Sequence, residues 1–132
     1  MNQMYPKAKE GFLTKKVDLL ADEIRVALID TGVAGFDAAH EFFSSVSAAV
    51  VGTPAVLSGK SVADGAFDAA DASFTGVSGS SVEAIVLYQW TGDAATSRLI
   101  LWIDQATGLP FAPHGGTVLV PWDDGANKIF RI

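Results

Sequence analysis

The sequence predicts a mainly β fold: an antiparallel β-sandwich or small barrel of seven to eight strands, with a short N-terminal helix and a short helical connection near residues 37–46. Three observations carry this reading. From residue 61 onward, short apolar runs recur at 61–62, 66–69, 72–77, 82–90, 99–103, 117–122 and 128–132. Glycines punctuate those runs, at Gly65, Gly76, Gly79, Gly92, Gly108, Gly115, Gly116 and Gly125 among others. Short apolar runs between such breakers are the mark of strands joined by tight turns. Helical spacing, by contrast, is well developed in only one place, over residues 7–21.

Taken in order, Leu13, Val17, Leu20 and Ile24 recur at intervals of four, three and four, which puts them on one helical stripe. Pro6 suits the first turn of that helix, expected over about residues 7–16; the alternative beyond it is a short strand over Val17 to Leu20, with Asp22-Glu23 as its turn. Residues 24–30 alternate, with Ile24, Val26 and Leu28 facing one way and Arg25, Ala27 and Ile29 the other. Residues 31–35 form a loop. Asp37 can cap one or two helical turns over 37–46. Residues 49–57 are rich in β-formers but contain Pro54, which belongs on an edge strand or at a break. Asp124-Gly125 between the last two runs is a hairpin-turn signal. No linker, repeat or low-complexity segment divides the chain, so residues 1–132 are expected to form one domain, with residues 1–12 as an extended arm.

Composition narrows the function classes. A folded monomer of 13.8 kDa exposes roughly 6,600 Å², so a real core is expected. There is no cysteine, which excludes disulfides, thiolate zinc sites, cysteine-ligated iron–sulfur clusters and cysteine nucleophiles. Nine Lys+Arg against fifteen Asp+Glu give a net charge of -6, the wrong balance for a duplex nucleic-acid binder. The charge is also unevenly placed. Residues 1–25 hold five basic and four acidic residues, whereas residues 26–132 hold four and eleven, a net of -7. No segment is long and apolar enough to span a bilayer, and the first residues lack a signal-peptide pattern, so neither a membrane nor classical export is expected.

Hydrophobic residues make up 49% of the chain and charged residues 18%. The excess sits in two strands that do not alternate. Across 82–90, Ile85 and Leu87 oppose Ala84, Val86, Tyr88 and Trp90; across 99–103, Ile100 and Trp102 oppose Leu99, Leu101 and Ile103. A half-exposed sheet leaves one face polar. The second apolar face therefore needs a cover, supplied by the chain's own N-terminal helix and 31–47 connection, by another subunit, or by both. If a subunit covers it, Trp90, Trp102, Tyr88, Ile100 and Leu87 are the expected anchors, with Lys7 and Lys9 on the arm; the plainer alternative for each aromatic is a core position.

Enzyme chemistry is thin. His40 and His114 stand apart from any zinc-ligand spacing, and Gly59-Lys60-Ser61 lacks the upstream glycine of a phosphate-binding loop, Pro54 standing there instead. Asp64, Asp68 and Asp71 are weak cation candidates without the ordered ligand pattern of a calcium loop, and Asp123-Asp124 reads as a turn. No cofactor is implied.

The segments Gly59-Lys60-Ser61-Val62, Gly65-Ala66-Phe67-Asp68-Ala69-Ala70-Asp71, Val82-Glu83-Ala84-Ile85-Val86-Leu87-Tyr88 and 99–108, with the ending Trp122-Asp123-Asp124-Gly125-Ala126-Asn127-Lys128-Ile129-Phe130, resemble small structural proteins of tailed bacteriophages and prophages. Residues 24–30 and His40-Glu41-Phe42 resemble the same family, so the likeness spans most of the chain. It implies a virion component made in the host cytoplasm, without catalytic residues. The leading expectation is a capsid decoration or cement protein bound to the major capsid protein lattice. The alternative is a tail, neck or fibre-associated protein that forms a symmetric ring or trimer; homo-oligomers fit either. A hydrolase acting through His40 or Asp68 is the remaining reading.

Overall fold

The computed structural model describes residues 2–106, 108–122 and 128–131. Along the chain run β1 (Gln3–Met4), α1 (Pro6–Leu13), β2 (Glu23–Ile29), two 3₁₀ turns (Phe43–Ser45 and Ser47–Ala49) and β3 (Val50–Val56). There follow β4 (Ser61–Ala63), β5 (Ala66–Asp68), β6 (Ala72–Phe74), β7 (Ala84–Trp90), β8 (Leu99–Ile103), β9 (Val118–Val120) and β10 (Phe130–Arg131). The fold is mainly β with one short helix, and every strand pairing is antiparallel. Among the described residues there are ten strands rather than seven or eight, in sheets ordered β1-β8-β7-β2-β3, β10-β5-β4 and β6-β9. The outer strands of the largest sheet, β1 and β3, do not pair with each other.

Two cores lie on opposite faces of the five-stranded sheet. On one, Ile24, Val26 and Leu28 of β2 join Ile85 and Leu87 of β7 beneath Phe67, Phe74 and Phe130 of the smaller sheets. On the other, Ala27, Ile29, Val86, Tyr88 and Trp102 pack with Tyr5 and Ala8 from the N-terminus and with Phe43, Val46 and Ala49 from the connection. The chain thus supplies a cover for both faces, which is why β7 and β8 read as continuous apolar runs. A bulge makes this arrangement possible. Leu87 pairs with Leu101 but Tyr88 pairs with Leu99, so the extra residue Ile100 shifts its strand's alternation and reaches the first core while Leu99 reaches the second.

The segment expected to be an arm is built into the fold. Gln3 and Met4 pair with Trp102 and Leu101, and the Tyr5 amide donates to the Ile100 carbonyl at 3.0 Å. The helix that follows is shorter than its periodicity predicts. Its end has the hydrogen bonds of a Schellman motif: Lys16 N–H donates to Gly11 O (2.8 Å) and Lys15 N–H to Phe12 O (3.4 Å). Lys15 takes the left-handed conformation there (φ 61°), a place usually filled by glycine. The stripe of Leu13, Val17, Leu20 and Ile24 is therefore broken, leaving Leu13 and Leu20 in solvent. What the helix buries is small, Ala8 and Gly11. A Cβ on Gly11 would come within 3.2 Å of Val17 Cγ2.

Over residues 37–46, Asp37 does accept the Ala39 amide (2.8 Å), but the turn closes at His40 and gives way to the 3₁₀ turns. Pro54 lies on β3, at the sheet's edge, inside a register shift that also contains Gly52 at φ 75°. Asp64 (φ 51°) and Gly65 (φ 80°) form the two-residue β4–β5 turn, with both left-handed angles of a type I′ hairpin. The hairpin expected at Asp124-Gly125, with the Asp123-Asp124 pair, lies outside the described residues.

Candidate association surfaces

Four of the expected anchors have no surface to offer in this conformation. Tyr88, Leu87 and Ile100 are fully buried and Trp102 is 2% exposed. Tyr88 stacks on Phe43, with ring centroids 3.8 Å apart and planes 5° from parallel. Burial pushes its phenol pKa up to about 12, the Arg25 charge opposing part of that rise. The Trp102 indole donates to Asp104 at 3.0 Å. Trp90 is half-buried, with the Arg25 guanidinium 4.5 Å above its ring. Lys7 pairs with Glu10 (3.1 Å), and Lys9 is exposed. The seven residues do not form one surface.

The aspartate candidates have separate structural jobs. Asp71 accepts the Trp122 backbone amide (2.9 Å), and Asp64 sits in the β4–β5 turn with its carbonyl taking the Arg131 guanidinium (3.0 Å). Asp68 ends β5. Among the described residues, no three His, Asp or Glu side chains are grouped to hold a metal ion. Lys60, of the Gly-Lys-Ser triplet, donates to the Asp22 carbonyl. His114 is exposed, and His40 keeps its Nδ1 buried without a hydrogen-bond partner. No described helix is long and apolar enough to cross a membrane.

Large apolar side chains stand exposed at Leu13, Leu20, Val33, Val56, Val62 and Leu119. At the end of the central sheet where Glu23 pairs with Trp90, residues 14–22 form a tightly tied loop. Asp18 accepts the amides of Leu20 (3.0 Å) and Ala21 (3.1 Å), and Asp22 accepts the Asp18 amide (2.8 Å). Buried Gln89 anchors the loop through Lys16 O (2.9 Å) and the Asp22 carboxylate (2.7 Å). This framework holds Leu20 outward, 52% exposed; Leu13, at the end of α1, is 85% exposed. Leu20 lines one open hollow with Phe12, Leu19, Val62, Lys15 and Asp18, and Leu13 lines another with Met4, Phe12, Lys9 and Arg131.

At the opposite end, β2 ends at Ile29, β7 begins at Ala84 and β8 ends at Ile103. There an open, shallow cleft of about 560 Å³ is lined by Thr31, Phe36, Glu83, Asp104, Gln105 and the almost wholly buried Trp102. Glu83 accepts both the amide (2.9 Å) and the hydroxyl (3.0 Å) of Thr31. A hydrogen bond with Ser81 holds its carboxyl below the usual glutamate value; burial opposes this, and the two Thr31 hydrogen bonds add to the lowering.

The sequence pattern did not single out Leu13, Leu20 and Val62 as surface residues, because helical spacing groups the two leucines with Val17 and Ile24 on one stripe. The available counter-signal was Asp18 and Asp22, two helix-interrupting side chains spaced to bind backbone amides within the supposed stripe. No protein-family model matches the chain, and no curated protein matches it at a significant level.

Proposed function

We propose that the chain is a non-enzymatic structural protein of a tailed-bacteriophage virion, a decoration or cement protein that binds the major capsid protein lattice. Its resemblance to small phage proteins along residues 24–30, 40–42 and 59–132 gives the class. The observation that supports an associating role is the exposed Leu20, held outward by a hydrogen-bonded loop, since a large apolar side chain fixed in that way binds without a large ordering cost. The role needs no cofactor, nucleic acid or membrane. Capsid proteins are the principal partners, and particle and host cytoplasm are the places where the protein acts and is made.

A tail, neck or fibre position is the second reading, in which a symmetric ring or trimer covers exposed apolar side chains such as Leu13 and Leu20 between copies. Either reading is tested by density-gradient purification of the particles followed by quantitative mass spectrometry. The chain should co-purify at a fixed ratio to the major capsid protein, high for decoration and low for a tail or neck ring. Its absence from the particles would overturn both.

A further inference from the structure

We propose that the Asp64-Gly65 turn is a self-modification site, where Arg131 activates the peptide bond between the two residues and the main chain passes through a succinimide to isoaspartate. The inference is independent of the virion reading, because the chemistry takes place within one chain.

The turn sets the reacting groups beside an activating one. Asp64 and Gly65 are exposed and occupy the two left-handed positions of the β4–β5 hairpin. Glycine has no Cβ to shield its nitrogen from the preceding side chain. On the other side of β5, the pairing with β10 sets Arg131 opposite Ala66. From there its guanidinium donates to the Asp64 carbonyl oxygen through both Nη2 (3.0 Å) and Nε (3.3 Å). That oxygen and the Gly65 N–H belong to one peptide unit, so the cation sits on the group whose nitrogen must become the nucleophile. Turn formation itself does not call for a cation there. Solvent has access through an open hollow of about 280 Å³ that Asp64 and Arg131 both line.

Water is the only co-reactant. Loss of the Gly65 amide proton to solvent puts negative charge on the Asp64 carbonyl oxygen, where the two guanidinium hydrogen bonds stabilise it. The Gly65 nitrogen then attacks Cγ of the protonated Asp64 carboxyl group. The N–Cγ bond forms, the Cγ–OH bond breaks, and water leaves with the proton returned from solvent. Hydrolysis of the cyclic imide takes that water back. Attack at Cγ restores aspartate. Attack at the original main-chain carbonyl breaks its bond to the Gly65 nitrogen and leaves the chain running through Cβ and Cγ. Arg131 polarises this second carbonyl, and the α-carboxylate released there forms beside the guanidinium, so both effects favour isoaspartate.

The product carries an extra main-chain carbon, which a two-residue type I′ turn does not accommodate, so the β4–β5 corner must rearrange. β4 is the outer strand of its sheet and its residues are all exposed. The edge can therefore yield while the five-stranded sheet keeps its pairing.

The test ages the purified full-length chain in warm, mildly acidic buffer and digests it with trypsin. The peptide 61–98 contains Asp64-Gly65 as its only Asp-Gly sequence. Electron-transfer fragmentation of that peptide distinguishes isoaspartate from aspartate, which has the same mass. Isoaspartate should accumulate at Asp64 in the wild type and several-fold more slowly in Arg131→Gln. The factor is smaller than the about hundredfold contributed by a donor in a water-excluded oxyanion hole, because Arg131 is exposed. If Arg131 only held the turn in place, its loss would free the turn and speed the reaction, so the two roles differ in sign. Circular dichroism checks folding. Arg131→Lys, which keeps the charge without the paired N–H donors, replaces Arg131→Gln if that variant does not fold, and it too should react more slowly. An aged wild type without isoaspartate at Asp64, or a folded variant that forms it as fast as the wild type or faster, would overturn the proposal.

Discussion

Replacing Phe43 with alanine asks whether the chain really covers the second face of its own sheet. Phe43 lies in the first 3₁₀ turn, is 5% exposed, and stacks on Tyr88 at 3.8 Å. Burying a phenylalanine side chain contributes about 1.5–3 kcal/mol by transfer. The parallel aromatic contact adds about 0.5–1.5 kcal/mol. With the void left behind, the expected loss is about 3–5 kcal/mol, the usual range for a core Phe→Ala change. A domain of this kind has only about 5–15 kcal/mol to lose, so the variant should remain folded at room temperature but with a much lower midpoint. Urea unfolding followed by near-ultraviolet circular dichroism would measure it, at two protein concentrations tenfold apart. A cover made within one chain predicts the full loss and the same difference between variant and wild type at both concentrations. A loss below about 1 kcal/mol would refute an intramolecular cover resting on Phe43.

Three further substitutions probe the local arrangements. Lys15→Gly should stabilise the monomer by up to about 1 kcal/mol in urea unfolding, because glycine takes the left-handed helix-terminating position without a Cβ penalty; a destabilised variant would contradict the assigned helix end. Asp71→Ala removes the acceptor for the Trp122 amide and should cost about 1 kcal/mol, seen as a lower urea midpoint with unchanged slope. Glu83→Gln should remove a pH-dependent contribution. Since the folded carboxyl titrates below its ordinary value of 4.5, its stabilisation is complete above that value and is lost as pH falls through the depressed one. The stability gap between wild type and Glu83→Gln should therefore narrow as the solution is acidified; a gap that widened would reverse the assignment.

Much of the β framework was legible because turn chemistry and strand chemistry alternate so regularly after residue 60. Each of the seven expected runs contains a strand, from β4 through β10, and Pro54 marked the edge strand correctly. The alternation of Ile24, Val26 and Leu28 against Ala27 and Ile29 divides between the two cores as the pattern says. The N-terminus was harder. Gln3–Met4 is too short to carry a periodic signal, and its strand identity comes entirely from pairing with Trp102 and Leu101. The helix was overextended because apolar spacing does not register the end set by Lys15 and the amide-binding carboxylates of Asp18 and Asp22. That same error hid the exposed leucines, which spacing groups with Val17 and Ile24. For Tyr88 and Trp102 the sequence showed that a cover was needed and named the N-terminal helix and the 31–47 connection as one source; the structure puts Tyr5, Ala8, Phe43, Val46 and Ala49 there, so both aromatics are core residues. Long-range packing decides such positions, and local periodicity does not contain it.

The most direct measurement of a structural role in the virion is a cryo-electron microscopy map of intact particles at a resolution that follows the chain. The account predicts this fold repeated on the capsid surface at capsomer junctions, with the exposed Leu20 in contact with a neighbour. Density confined to the tail, neck or fibres would replace capsid decoration with the second reading. A complete map with this fold nowhere in the particle would contradict the account.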